Sequence, residues 1–140
     1  MDSLFWERAH GGLTHFPIAF VFGAAFFDTL AFLRRPRTNG PDYHVIGYWL
    51  MGLGVVGSFG AVLSGLALSK WVIGGTGTVL RHHIFVWPAF ALIVGLGTWR
   101  LLVGYRPRRP ALIIYMAGLG LTCALVGAAG FFGGEMLLGK

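Results

Sequence analysis

The sequence sets histidines at the mouths of two apolar runs, each followed within a few residues by proline: "LTHFPIAF" from Leu13 and "RHHIFVWPAF" from Arg81. His10 stands just upstream of the first. Neutral imidazole binds metal ions through a ring nitrogen. Two imidazoles on neighbouring helices can ligate a haem iron axially from opposite faces, and helix bundles build such sites in their cores. His15 and His83, or His82 in place of His83, are the candidate axial ligands, with His10 as a further candidate metal ligand. Arg81 or Arg8 is a candidate partner for haem propionates. Glu135, in "GFFGGEMLLGK", is a candidate acceptor for the second ring N–H of a ligand histidine, which would fix its tautomer. A second chemistry uses His10, His15, His82 or His83, and Glu135 for zinc or copper, since borderline metals accept mixed nitrogen and oxygen ligands. The competing reading is plainer: residues at helix mouths sit in the headgroup region, where histidine costs far less than at the bilayer centre. Adjacent residues lie about 100° apart on a helix, so His10 and one of the His82–His83 pair fit that role.

These residues need elements to hold them, and the composition says which. Of the 140 residues, 56% are hydrophobic and 11% charged, against about 25% charged in soluble domains. An ordinary water-facing surface cannot be assembled from this chain. Four apolar stretches, Leu13 to Leu33, Val45 to Leu68, Ile84 to Val103 and Ala111 to Leu138, each reach the roughly 20 residues a membrane helix needs. Lipid offers backbone groups no partner, so a spanning segment must bond internally, as a helix does. The expected spans are 13–33, 45–68, 84–103 and 111–133, in a single domain covering 1–140. The connections "RRPRTNGPDYH", "SKWVIGGTGTVLR" and "GYRPRRP" are short, and short loops make neighbours antiparallel. The predicted fold is all-α, an integral membrane up-down four-helix bundle.

The first stretch does not read as a cleaved signal peptide, because its apolar run is too long, acids precede it and no small-residue cleavage site follows. The single cysteine, Cys123, excludes a disulfide, a cysteine-based metal site and haem attached through Cys-x-x-Cys-His.

Charge then orients the spans. Arg34, Arg35, Arg37, Arg106, Arg108 and Arg109 collect on one side, with Arg100 just inside it. Arg8, Lys70, Arg81 and Lys140 on the other side are diluted by Asp2, Glu7 and Glu135. The positive-inside rule puts the arginine-rich loops in the cytoplasm. Both termini then face the periplasm, in a bacterial inner membrane. The net charge of +6 is therefore read as topology and headgroup contact, not nucleic-acid binding. In this arrangement His10, His15, His82, His83 and Glu135 share the outer side. His44, beside Tyr43 and Tyr48 on the inner side with no partner on its face, reads as a headgroup or loop contact. Trp71, Tyr105, Trp99, Tyr48 and Trp49 read as interfacial anchors. Gly57, Ala61 and Gly65 on the second helix, and Gly120, Ala124 and Ala128 on the fourth, read as stripes for close helix packing.

"HGGLTHFPIAF" near the start, "GLALSKW" closing the second span, a histidine opening the third and "GFFGGEML" closing the fourth resemble the bacterial membrane family called domain of unknown function 2231. Its members typically read His-Pro-x-x-x-His-Phe-Pro at the start and Gly-Gly-Glu-Leu near the end. The matching positions are His10, His15, Phe16, Pro17, His82 or His83, Gly133, Gly134 and Glu135. Gly11 stands where the family has proline, and Met136 where it has leucine. The resemblance implies a distant likeness to b-type membrane cytochromes, and with it electron transfer.

The expectation is a membrane electron-transfer subunit carrying haem b near the periplasmic face, in a larger respiratory or photosynthetic complex. Its partner would be a c-type cytochrome, another membrane subunit or a quinone. The chain alone is not expected to be a catalyst. The alternative is a cofactor-free accessory subunit whose small-residue stripes pack on larger neighbours.

Overall fold

The computed structural model describes residues 3–34 and 41–137. Asp2, Arg35, Arg37 and Lys140, which entered the charge argument, lie outside the described residues. Four helices follow in order: α1 Ser3–Leu33, α2 Tyr43–Leu68, α3 Gly77–Val103 and α4 Arg109–Leu137. Each is long and apolar enough to cross a membrane. At 31 residues, α1 extends about 46 Å, well beyond the roughly 30 Å of a hydrocarbon core. Both α1 and α3 therefore begin before their apolar runs do, at Ser3 instead of Leu13 and at Gly77 instead of Ile84. Hydropathy marks where lipid is tolerated, while hydrogen bonding carries the helix on into the interface. His10 is thus a residue of α1.

The helices form a ring: α1 packs mainly on α2, α3 mainly on α4, and the pairs meet along α2–α3 and α1–α4. This is the up-down bundle. Its core is Val21, Ala24, Met51, Ile93, Leu112, Tyr115 and Leu119. Its outside is apolar too: Phe26, Val56, Leu102 and Ile114 are exposed, which suits lipid.

Close approach of α1 to α2 depends on the stripe read from the sequence. A Cβ on Gly57 would come 3.1 Å from Pro17 Cδ, and one on Gly65 would come 2.9 Å from His10 Cε1. Small residues here let a proline bend and an imidazole sit in the seam. The other stripe differs from expectation. Gly120 and Ala124 are exposed, and no described atom lies within 4 Å of where a Gly120 Cβ would be. On α4 the close contacts are made by Gly118, against Leu96, and Gly133, against His82. Trp99 is no anchor either. It stacks on Tyr115 with ring centroids 5.4 Å apart and packs on the core, whereas Trp49 and Trp71 are exposed as anchors should be.

Candidate functional sites at the two ends of the bundle

At the end holding the α2–α3 loop, the four histidines share one feature. Each places Nδ1 against a backbone carbonyl: His10 on Ala61 at 3.0 Å, His15 on Gly11 at 2.6 Å, His82 on Ala129 at 2.8 Å and His83 on Gly74 at 2.5 Å. A carbonyl only accepts, so Nδ1 is the donating nitrogen. Nε2 of each neutral ring is then left with its lone pair. Backbone carbonyls, not Glu135, hold the second ring nitrogens. Glu135 is half-buried and hydrogen-bonds to no described residue. Arg8 and Arg81 are exposed.

The rings are not equivalent in position. His10 is half-buried between α1 and α2, where Ser64 Oγ lies 3.0 Å from the same Nδ1 and itself donates to the Ala61 carbonyl at 2.9 Å. His82 is half-buried between α3 and α4, over Gly133. The His82 and His83 ring centroids are 5.8 Å apart. His10 and His82 thus lie in two different seams, with His83 beside His82. His15 is exposed and bonded to its own helix. His83 also ties down the α2–α3 loop, helped by Trp87 Nε1, which donates to the Ile73 carbonyl at 3.0 Å. Among the described residues, no group of three or more histidine, cysteine or carboxylate side chains is placed to hold a metal ion.

The opposite, arginine-rich end holds a centre that sequence reasoning missed. Arg100 is 1% exposed and Asp28 fully buried, with Arg100 Nη2 donating to Asp28 Oδ1 at 2.7 Å. The same Nη2 lies 3.3 Å from the His44 carbonyl. His44 Nδ1 lies 3.6 Å from Asp28 Oδ1. The Tyr115 ring sits 5.2 Å from the Arg100 guanidinium carbon. Room for the carboxylate comes from Gly47, where a Cβ would fall 2.7 Å from it. Arg100 is thus an interior residue, not a topology marker, and His44 has a buried carboxylate near its ring. The signal was available: one acid in "AAFFDTLAF" and one base in "GTWRLLV", each a lone charge within a span, where ionisable residues face the interior and pair.

Just outside, Asp42 caps α2 by accepting from the His44 amide at 3.1 Å and from Arg106 Nε at 3.0 Å. Partial burial alone would raise the Asp42 carboxyl. The hydrogen bonds and charge of Arg106, with the His44 amide, outweigh it and hold the group below its ordinary value.

A family model described as a predicted membrane protein, domain of unknown function 2231, matches residues 8–139. Nothing matched among curated proteins or among solved structures.

Proposed function

The chain belongs to the predicted membrane protein family named domain of unknown function 2231, and from that premise we propose that it is an electron-transfer subunit whose histidine end binds a b-type haem. The observation that carries this reading is the common orientation of the imidazoles, with Nδ1 donating to carbonyls at 2.5–3.0 Å and Nε2 left to ligate. Hydrogen bonds from the far ring nitrogen of a metal-ligating imidazole fix its tautomer and raise its basicity. A macrocycle already supplies four equatorial nitrogens, so the protein need contribute only two donors. With no group of three or more possible ligands among the described residues, a pair of imidazoles fits haem better than zinc or copper. His10 on α1 and His82 or His83 on α3 are the ligand pair this arrangement favours, in place of the exposed His15. When bound, the group carries one electron. The two imidazoles would hold the iron, the backbone carbonyls behind them would orient the rings, and Arg8 and Arg81 would offer charge for the propionates. A site near the end of the bundle suits exchange with a carrier outside the lipid, a c-type cytochrome, or with a quinone or a larger complex. On the positive-inside argument, that end is periplasmic in a bacterial inner membrane.

The test is an optical spectrum of the chain purified from membranes of a haem-supplied host. The expected result is a reduced-minus-oxidised Soret and α-band change that His10→Ala and His82→Ala each diminish or abolish and His15→Ala leaves in place. A colourless wild-type protein overturns the haem assignment.

One observation favours a second reading, a cofactor-free accessory subunit. His10 already bridges α1 to α2 and His82 bridges α3 to α4, so the rings double as ties between helices. The outward Gly120–Ala124 face would then meet a neighbour. Colourless protein that copurifies stoichiometrically with a respiratory complex supports it.

A further inference from the structure

At the arginine-rich end each helix contributes a side chain to one cluster: Asp28 from α1, His44 from α2, Arg100 from α3 and Tyr115 from α4. Among the described residues, Cys123 on α4 also stands near enough to act on Tyr115, and the surface pair Asp42 and Arg106 adjoins His44. Three members are sealed from the surface: Asp28 is fully buried, and Arg100 and Tyr115 are each 1% exposed. Their hydrogen bonding is nevertheless incomplete. Asp28 Oδ2, His44 Nδ1, Arg100 Nε and Nη1, and Tyr115 Oη are buried without a hydrogen bond of good geometry, although His44 and Tyr115 both stand close enough to act on the Asp28 carboxyl.

Orphaned buried polar atoms carry a full desolvation cost, so a set of them converging on one place points to something they bind. A cation is disfavoured by the guanidinium 2.7 Å from the same carboxylate, and an anion by the carboxylate. The Asp28–Arg100 pair is neutral as a unit. What remains is water and the proton. Donors (Arg100, Tyr115) and acceptors (Asp28 Oδ2, His44 Nδ1) together supply the two to four contacts that an internal water needs.

The proton has its own place. With Nδ1 unprotonated, the His44 lone pair confronts Asp28 Oδ1 across 3.6 Å, acceptor against acceptor. Addition of H⁺ to give the imidazolium turns that confrontation into an N–H donating to a carboxylate. His44 is also the member that reaches the surface, with its side chain 22% exposed.

We propose that Asp28, His44, Arg100 and Tyr115 form a proton-binding site, reached from the arginine-rich end through His44. The bound proton sits on the imidazole and is shared by hydrogen bonding with Asp28. Arg100 donates to Asp28 Oδ1, the buried Tyr115 ring lies over the guanidinium, and Gly47 leaves the space. Uptake is H⁺ adding to neutral His44 from water, release is the reverse, and no other reactant takes part. This holds whether or not iron occupies the histidine end.

The experiment is an acid-minus-alkaline infrared difference spectrum of the full chain in lipid bilayers, scanned between about pH 5 and pH 8, where histidine changes charge. The expected result is a histidine ring signal accompanied by a carboxylate-stretch signal. The carboxylate signal disappears in Asp28→Asn and equally in His44→Gln, which alters only the rim should the first variant fail to fold. In vesicles of known insertion direction, both signals answer acid added at the arginine-rich end and not at the other. A wild-type spectrum without the carboxylate signal, its survival in His44→Gln, or a response confined to the histidine end overturns the proposal and leaves the tetrad a fixed structural pin.

Discussion

Removing Arg100 alone should damage this protein more than removing Arg100 and the charge on Asp28 together. Arg100→Met keeps much of the side chain's length and apolar stem but deletes the guanidinium that donates to Asp28 Oδ1 at 2.7 Å and lies 5.2 Å from the Tyr115 ring. It strands a fully buried carboxylate. Breaking a buried pair by deleting one partner costs about 3–5 kcal/mol, with roughly 0.5–2 kcal/mol more for the lost cation–π contact. Asp28→Asn strands the guanidinium instead, at the lower end of that range, because the amide oxygen still accepts. In the double variant Asp28→Asn with Arg100→Met no charge is buried, and the residual cost is that of one under-bonded amide, about 1–3 kcal/mol, together with the same lost cation–π contact, which cancels in the cycle. The singles then sum to well above the double, with a coupling energy of at least about 3 kcal/mol. Reversible unfolding in mixed micelles with rising dodecyl sulfate, followed by far-ultraviolet circular dichroism, measures all four corners of the cycle. Ordinary interhelical hydrogen bonds in membranes average about 0.6 kcal/mol and reach about 1.7. A measured coupling below that ceiling would falsify the claim that buried charge, and not a simple hydrogen bond, ties α1 to α3.

Further outcomes follow from the packing. Gly47→Ala places a methyl 2.7 Å from the Asp28 carboxyl, so about 1–3 kcal/mol of overpacking outweighs the up to about 1 kcal/mol that alanine returns to a helix interior; the same change in an Asp28→Ala background should be neutral or stabilising in the micelle assay. Gly65→Ala brings a methyl to 2.9 Å from His10 Cε1 and should displace that ring, weakening or shifting any haem absorbance while leaving the helical dichroism of the chain unchanged. Asp42→Ala removes the α2 cap and should cost about 1 kcal/mol. Because Asp42 is held below its ordinary value, its contribution is present above the carboxylate range and is lost as pH falls through the lowered value; the wild type's extra thermal stability over Asp42→Ala should therefore shrink below about pH 4.

The number of helices, their class and their antiparallel order were legible in the residues, because the demand that lipid imposes is local. Some 20 apolar residues in a row, interrupted by Pro36, Asn39 and Gly40 or by Gly74 and Gly75, leave one reading. The Gly57–Ala61–Gly65 stripe was legible for a related reason, since a helix with no side chains on one face invites a neighbour. Its counterpart at Gly120 and Ala124 was not. Every face of α4 carries small residues, and only the packing of Leu96 on Gly118 and of His82 on Gly133 decides which of them turns inward.

The chemistry divides the same way. The sequence by itself determined that four histidines gather at one end of the spans and that Arg100 and Asp28 lie within them, because position along a membrane helix translates directly into depth. Only the tertiary structure decided that His10 and His82 bond across seams between helices while His15 bonds to its own helix, and that Asp28 meets Arg100 from 72 positions away with His44 and Tyr115 beside them. Depth is a one-dimensional property that the chain writes along its length. The direction in which a side chain faces depends on how each helix is rotated, and that rotation is set by contacts with the other three.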